Sequence, residues 1–428
     1  MAVARIESLA HGPHGVARID GKVHFVRQAA PGDEVEVEVD EDHPTFAYAR
    51  VARVLAPGPV RREAPCPYLP RCGGCPWQHV AYDAQAAAKE ASVRDLLSRM
   101  GGIDPSVVRP IVRAASEYGY RRRLSLRVAD GEVGFLAAAS HDLVPVEHCL
   151  LGHERLEGAI PLARALVRAL GTRVNRVEIV ATGDDHRVAV VAQADGEMAA
   201  ADAEVGEALL RREPRIAAVV LRGKRFRRVW GDDRVRVPLV DGDEMWLRAG
   251  DFSQVSDHGN AELIRLVLEH ASVAKHHRVA DLYAGAGNLS LPLARRAGAV
   301  LAVDRTPTSV EAARENARRL GIDNVELAIG PTETVLRGWT RRGLRFDTVV
   351  LDPPRSGAAE ALSSLLALAA ARIVYVSCNP ATLARDLKTL ARGYRVELVQ
   401  PIDIFPQTYH VEAVALLTRK DPRATALG

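Results

Sequence analysis

Aromatic residues are scarce in this sequence, 5% of 428 positions, and cysteine is scarcer still, with five. Five thiols in a chain of that length do not build a disulfide scaffold. Long apolar runs are missing too. The longest, at 361–376, is broken by Ser363, Ser364 and Arg372 and is too short to span a bilayer. The first twenty residues lack the apolar core of a signal peptide. No strong excess of one charge is present. Lys and Arg number 57 against 54 Asp and Glu, and a net charge of +3 is too small to mark a nucleic-acid binder by bulk charge. Arginine supplies nearly all the positive charge, and with the excess of alanine it reads as codon bias rather than function. These absences predict a cytoplasmic, membrane-free monomer of about three domains, its cysteines reserved for chemistry.

Residues 1–56 read as all-β. Val35, Val37 and Val39 alternate with Glu36, Glu38 and Asp40, a period of two that marks a strand with one wet face. The turn signals His11-Gly12-Pro13, Asp20-Gly21-Lys22 and Pro31-Gly32-Asp33 cut the rest into short strands, as in a small OB-like barrel. Such barrels often hold single-stranded nucleic acid and sometimes only pack; the residue pattern leaves both open. Pro57-Gly58-Pro59 closes the unit.

Residues 57–248 predict a central α+β domain. It opens with a cysteine-rich loop at 66–79 and a helix reaching about Met100, with Ala86, Val93, Leu96 and Leu97 on its apolar face. Two arginine-rich clusters follow, 113–127 (with Arg121, Arg122 and Arg123 adjacent) and Lys224-Arg225-Phe226-Arg227-Arg228. The second carries Phe226 and Trp230, and together the clusters predict a surface for a phosphate backbone. From 249 to 428 the runs RVADLY, AVLAVD, FDTVVLD and RIVYVSC alternate with amphipathic helices such as 310–320. That pattern predicts a doubly wound, Rossmann-like α/β domain, its parallel sheet covered by helices on both faces.

Within this last domain Asp281-Leu-Tyr-Ala-Gly285-Ala-Gly287-Asn288 follows a strand and precedes a helix expected to start near Leu289. Gly285 and Gly287 let the backbone turn tightly and approach a ligand at a helix N-terminus. Asp304 ends the next strand, where a carboxylate can accept hydrogen bonds from ribose hydroxyls. Position 290 is Ser, where a dinucleotide fold would need a third glycine, and no Walker sequence marks an ATP site. An acid-rich loop of this form fits S-adenosylmethionine, whose sulfonium and amino group gain from nearby carboxylates.

Two further strands end in reactive residues. FDTVVLD runs into Asp352-Pro353-Pro354-Arg355, where prolines fix the backbone at the edge of the sheet that open α/β folds use for ligands. Arg355 replaces the aromatic ring that amino-group methyltransferases stack on a base, which disfavours that chemistry. RIVYVSC delivers Cys378 beside Asn379-Pro380 at another strand end. A lone cysteine is commonly a small buried hydrophobe; at this place it suits a nucleophile. Glu412, just before the apolar strand AVALL, is a candidate general base whose pKa partial burial would raise.

The other four cysteines are Cys66, Cys72 and Cys75, in C-x5-C-G-G-C, and Cys149 far downstream. Four thiolates can hold a [4Fe-4S] cluster or a tetrahedral Zn²⁺, and spacing hardly separates the two. His79 and His148 would also suit zinc.

DLYAGAGNLSLPLA, VLDPPRSG, YVSCNPATLARDL and FPQTYHVEAVALL together resemble the S-adenosylmethionine-dependent RNA uracil-C5 methyltransferases, which make 5-methyluridine in 23S ribosomal RNA or in the tRNA T-loop. The resemblance covers essentially the whole chain, with the four motifs in family order. It implies Cys378 as nucleophile and Glu412 as base. It implies that Gln254, with Tyr283, Asn288, Asp304 and Asp352, contacts the cofactor or shapes its pocket. The first 56 residues look like the RNA-binding TRAM barrel of many members. The cysteine spacing looks like the motif of the 23S-type enzymes, which implies a structural [4Fe-4S] cluster on Cys66, Cys72, Cys75 and Cys149, with zinc as the alternative. The expected substrate is 23S rRNA. The alternatives are the same chemistry on the tRNA T-loop uridine and a non-catalytic RNA-binding factor. Attack on uracil C6 needs a thiolate, so surroundings that lower the Cys378 pKa are expected. Three positions depart from the family pattern: Ser256 for Asn, Leu289 for Phe and Asp304 for Glu. Of these, Ser256 is expected to loosen a contact near substrate or cofactor.

Overall fold

The computed structural model describes residues 2–183 and 185–420. Five strands, β1 (Ala2–Leu9), β2 (His14–Ile19), β3 (Lys22–Arg27), β4 (Glu34–Asp42) and β5 (Phe46–Ala56), close a barrel in the order β1-β2-β3-β5-β4. Val35 and Val37 point inward from β4 among small partners such as Ala4, Ala17 and Ala49, and the intervening acids face water. The barrel is tied to the chain that follows by one buried carboxylate. Asp33 accepts from the amides of Ala30 at 2.6 Å and Gly58 at 2.8 Å, and from Arg61 Nε at 2.9 Å.

A helix at Tyr82–Leu96 ends in a wider π turn, Leu97–Gly101. The central sheet then forms from β6 (Arg123–Ala129), β7 (Glu132–Leu136), β8 (Leu143–Pro145), β9 (Val174–Ala181), β10 (Val188–Ala194), β11 (Ile216–Arg222) and β12 (Arg227–Gly231), in the order β12-β11-β10-β9-β6-β7-β8. Helices Ala159–Ala169 and Val205–Arg212 pack their apolar stripes on it.

The centre of the first arginine cluster does not form the expected open surface. Arg122 is 2% exposed. It donates to Asp257 Oδ1 at 2.6 Å, the Arg236 carbonyl at 2.7 Å and the Ala181 carbonyl at 3.2 Å. A guanidinium inside a protein needs such partners, and its five donors let one side chain join three segments. Arg123 lies over the Phe252 ring at 5.2 Å, and Arg121 over Tyr120 at 5.6 Å. Trp230 is buried with Nε1 donating to the Ala203 carbonyl, so it offers no stacking face; Lys224, Arg225, Arg227 and Arg228 are exposed.

The hairpin β13 (Arg234–Pro238) and β14 (Glu244–Arg248) and the helix Asp257–Ala271 lead into the last sheet. Its strands are β15 (Arg278–Leu282), β16 (Ala299–Asp304), β17 (Val325–Ile329), β18 (Thr348–Leu351), β19 (Arg372–Ser377), β20 (Tyr394–Ile402) and β21 (Glu412–Arg419), in the order β17-β16-β15-β18-β19-β21-β20. The first five are parallel and joined through helices, and most of their residues are buried. β21 corrects the all-parallel expectation, for it runs antiparallel to both β19 and β20. The reason is its connection: a loop at 403–411 replaces the helical crossover that a parallel strand needs. Among the described residues no helix is long and apolar enough to cross a membrane.

Lys89, on the Tyr82–Leu96 helix, is fully buried and donates to Asp403 Oδ1 at 2.6 Å, joining the cysteine-bearing segment to the last sheet. Lys89→Met strands a buried carboxylate and is expected to cost about 3–5 kcal/mol. Lys89→Met combined with Asp403→Leu should recover most of that loss, measured by urea titration of the three proteins.

Candidate active site

Parallel strands carry their C-terminal ends to one edge of the sheet, and only a reversed strand can bring its beginning there. β18 ends at Leu351 and hands on Asp352; β19 ends at Ser377 and hands on Cys378. β21 starts at the same edge with Glu412. Ser377 pairs with Ala413, so the next step in register sets Cys378 opposite Glu412. Residues facing each other across antiparallel strands have Cα atoms about 4.5–5.5 Å apart. The two groups that the sequence reading named for nucleophile and base are thus neighbours.

Arg355 closes this group from above. Its carbonyl accepts from Asn379 Nδ2 and Thr382 Oγ1, each at 3.2 Å, and its Nη2 lies 3.4 Å from His410 Nδ1. Burial pushes the Cys378 thiol up to about 11, Glu412 adds to the rise, and the Arg355 guanidinium opposes it. The expected thiolate-favouring surroundings are therefore corrected. In the protein alone, a half-buried sulfur between carboxylates stays protonated. Glu412 is held well above the usual carboxylate range by burial and by Asp352. Burial also raises Asp352, to about 6.

The glycine loop lies at this edge too. Tyr283, Gly285 and Gly287 all have positive φ, +62°, +55° and +98°. A Cβ at Gly287 would stand 3.0 Å from the Leu291 side chain, so both backbone and space favour glycine there. The following helix is short, Ser290–Ala294. Asp304 ends β16 and accepts from the Gly285 amide at 3.0 Å and the Thr306 amide at 2.8 Å, which fixes the loop. Asp281 is buried; Ser290 Oγ donates to its Oδ2, while its Oδ1 has no partner. Burial pushes it up to about 7, with Asp352 and Asp304 adding to the rise. Three carboxylates around a tight loop, one with an idle buried oxygen, fit a ligand bearing cationic and amine groups.

Asn288 does not present its amide to that space. It exchanges two hydrogen bonds with Asn260, at 2.9 and 2.7 Å, and so shapes the loop rather than lining it. Gln254 lies half-buried just ahead of the Asp257–Ala271 helix. Ser256 caps that helix, accepting from the Gly259 amide at 3.1 Å.

The remaining cysteines come together apart from this edge. Cys66, Cys72, Cys75 and Cys149 line one cavity of about 220 Å³, with Gln78, Arg121 and His148 on its walls; His79 is not among them. All five cysteines of the chain are free thiols. Burial pushes Cys75 up to about 12, and nearby Cys149 adds to the rise. Among the described residues no three His, Cys, Asp or Glu side chains form a group able to hold a metal ion. The four sulfurs nonetheless line the same cavity, a donor set of the kind that a cluster or a zinc ion takes.

Residues 81–420 match the family model described as tRNA (uracil-5-)-methyltransferase, and residues 4–52 match the TRAM domain. The chain belongs to this methyltransferase family. The methyltransferase is 34% identical to an uncharacterised RNA methyltransferase of Halalkalibacterium halodurans, over 97% of this chain and 96% of the other. It is 35% identical to the 23S rRNA (uracil(1939)-C(5))-methyltransferase RlmD of Pseudomonas putida, over 96% and 92%. Its fold matches the crystal structure of the Pyrococcus abyssi tRNA (uracil-54, C5)-methyltransferase in complex with S-adenosyl-L-homocysteine, with a TM-score of 0.74, 24% identity and coverage of 97% and 100%. The methyltransferase is thus an S-adenosylmethionine-dependent RNA uracil-C5 enzyme by family.

Three residues of the site went unread in the sequence. Arg355 had served only to exclude another chemistry, although its place four residues into a strand-end motif was the available signal. Ser290 had served only as a missing glycine, and Asn260 gave no signal at all. Cofactor-free protein tests the electrostatics. Iodoacetamide should label Cys378 slowly at pH 8 and faster towards pH 11. Arg355→Ala should slow labelling and Glu412→Gln should speed it, by about tenfold for each unit of pKa displaced, read by peptide mass spectrometry.

Proposed function

We propose that this methyltransferase modifies 23S ribosomal RNA, moving a methyl group from S-adenosylmethionine to C5 of a uridine through a covalent Cys378–C6 bond. The observation that carries the reading is the β19–β21 register, which sets Cys378 against Glu412 beside the glycine loop. Uracil C5 is a weak nucleophile. Cys378 loses its proton to solvent and its Sγ adds to C6, while the electron pair of the C5–C6 double bond moves into an enolate across C5 and O4 that attacks the methyl. S-adenosylmethionine, held by Asp281, Tyr283, Asp304, Asp352 and Gln254, supplies an electrophilic methyl, and its sulfur keeps the electron pair of the broken bond. Glu412 then takes the proton from C5; the double bond re-forms and expels Cys378 as thiolate. Burial and Asp352 raise the Glu412 carboxyl above its ordinary range, which strengthens it as a proton acceptor once it is ionised. Arg355 offsets the negative charge that develops on sulfur. The target base has to leave its stack to reach this edge.

The four thiols that line one cavity are read as the ligands of a [4Fe-4S] cluster, a structural group that takes no part in the methyl transfer. The barrel is read as an RNA-binding TRAM module. The ribosomal target is supported by the Pseudomonas putida relative, whereas the family description points to tRNA. Mapping 5-methyluridine in cells with and without the gene separates them. Loss from 23S rRNA is expected; loss from tRNA alone overturns the ribosomal reading, and no loss from either overturns the enzyme's role altogether. In vitro, Cys378→Ala should abolish methyl transfer. Glu412→Gln should leave a covalent protein–RNA adduct, visible as a slow band on a denaturing gel.

A further inference from the structure

The loop that delivers Glu412 is held mainly by residues from the cysteine-bearing part of the chain. Lys89 Nζ donates to the Phe405 carbonyl at 2.9 Å as well as to Asp403. Tyr120 OH donates to the Pro406 carbonyl at 3.1 Å. The densest set of bonds falls on Gln407, which is fully buried and holds φ at +68°. A positive φ in a glutamine persists only where its surroundings over-determine it.

Those surroundings are specific. The Trp77 amide donates to the Gln407 carbonyl at 3.1 Å. Gln85 Nε2 donates to Gln407 Oε1 at 2.9 Å, and Gln85 Oε1 accepts from the Gln407 amide at 2.9 Å. Arg62 Nη2 donates to the same Oε1 at 3.1 Å, while Gln407 Nε2 donates to Glu117 Oε2 at 3.0 Å. Trp77 stands two residues beyond Cys75, and Gln85 Nε2 also donates to the Trp77 carbonyl at 3.1 Å. The neighbouring Gln78 accepts from the Cys66 amide at 3.3 Å. One hydrogen-bonded stretch, 75–85, therefore touches the thiol cavity at one end and the Glu412 loop at the other.

We propose that Gln407 is a positioning residue for Glu412, and that filling of the four-thiol cavity acts on proton removal through the 75–85 stretch that grips it. The second half rests on the reading of that cavity as an iron–sulfur site. Closing the 66–79 loop on a cluster fixes Trp77, and Trp77 fixes the turn from which Glu412 emerges. Cys378 follows β19 and bonds neither Gln407 nor the 75–85 stretch; its link to the loop runs only through Arg355, 3.4 Å from His410, so removal of the C5 proton should respond more than addition to C6.

The test uses full-length protein with iron loaded anaerobically, the same protein stripped by ferricyanide and EDTA, and the loaded variants Gln85→Ala and Gln407→Gly. Glycine keeps the positive φ while deleting the side chain. Both variants should form the Cys378 adduct with substrate RNA within about twofold of wild type, yet release it about tenfold or more slowly, so that adduct accumulates with iron content unchanged. Stripping should speed hydrogen–deuterium exchange in a 403–412 peptide and leave one covering 372–377 unaltered. Loss of adduct formation and release in equal measure, or no change in either, overturns the positioning role. Unchanged exchange in the stripped protein overturns the part given to the cavity. A wild type that binds no iron refutes the cluster reading and that part with it, while the adduct kinetics still decide Gln407.

Discussion

One reversal of chain direction makes the active site. Five parallel strands bring their ends to a single edge, and another strand of that direction in the place of β21 would have put its first residue on the far side. Because β21 runs the other way, Glu412 arrives beside Cys378 at the start of a strand instead of at its end. Cys378 and Glu412 are then placed by the β19–β21 backbone ladder, whose last pair, Ser377 and Ala413, lies beside them. Side-chain rotamers adjust the geometry but do not create it.

The site stores its charges in an unfavourable form. Asp281, Asp352, Glu412 and Cys378 are all pushed up by burial, three of them by each other as well, and Arg355 is the cation set against them. Such an edge resists ionisation. A cationic ligand in the glycine loop would relieve the carboxylates in a low-dielectric setting where charge interactions are strong. The thiol high in its range and the idle oxygen of Asp281 are two signs of the same design, a pocket completed electrostatically by what enters it.

Much of the architecture was legible. The alternation of Val35 and Val37 corresponds to β4, where Val39 is exposed instead, the runs RVADLY and RIVYVSC to β15 and β19, and the glycine spacing to a loop with the positive φ values that glycine permits. The direction of the last strand was not legible. β21 is buried along most of its length, and hydrophobic content reads the same whichever way a central strand runs. The arginine triplet misled for a related reason. A single sequence shows charge but not the carboxylate and carbonyls that Arg122 finds only after folding, from Asp257, Ala181 and Arg236. The Asn260–Asn288 pair was hidden likewise, since neither residue has meaning without the other. Residue types at strand ends spoke clearly; their mutual placement is a tertiary fact.

Asp33 carries a mechanical consequence. Its carboxylate binds the Ala30 and Gly58 amides and the Arg61 guanidinium, and a Cβ at Gly58 would stand 2.7 Å from the Asp33 amide. Proline and glycine at that junction look like a swivel in the sequence, but in three dimensions the joint is riveted. Tilting the barrel away would leave an unsatisfied anion in a dry crevice. The barrel is therefore clamped to the segment that leads into the cysteine-bearing loop, like the jaw of a calliper locked at one width.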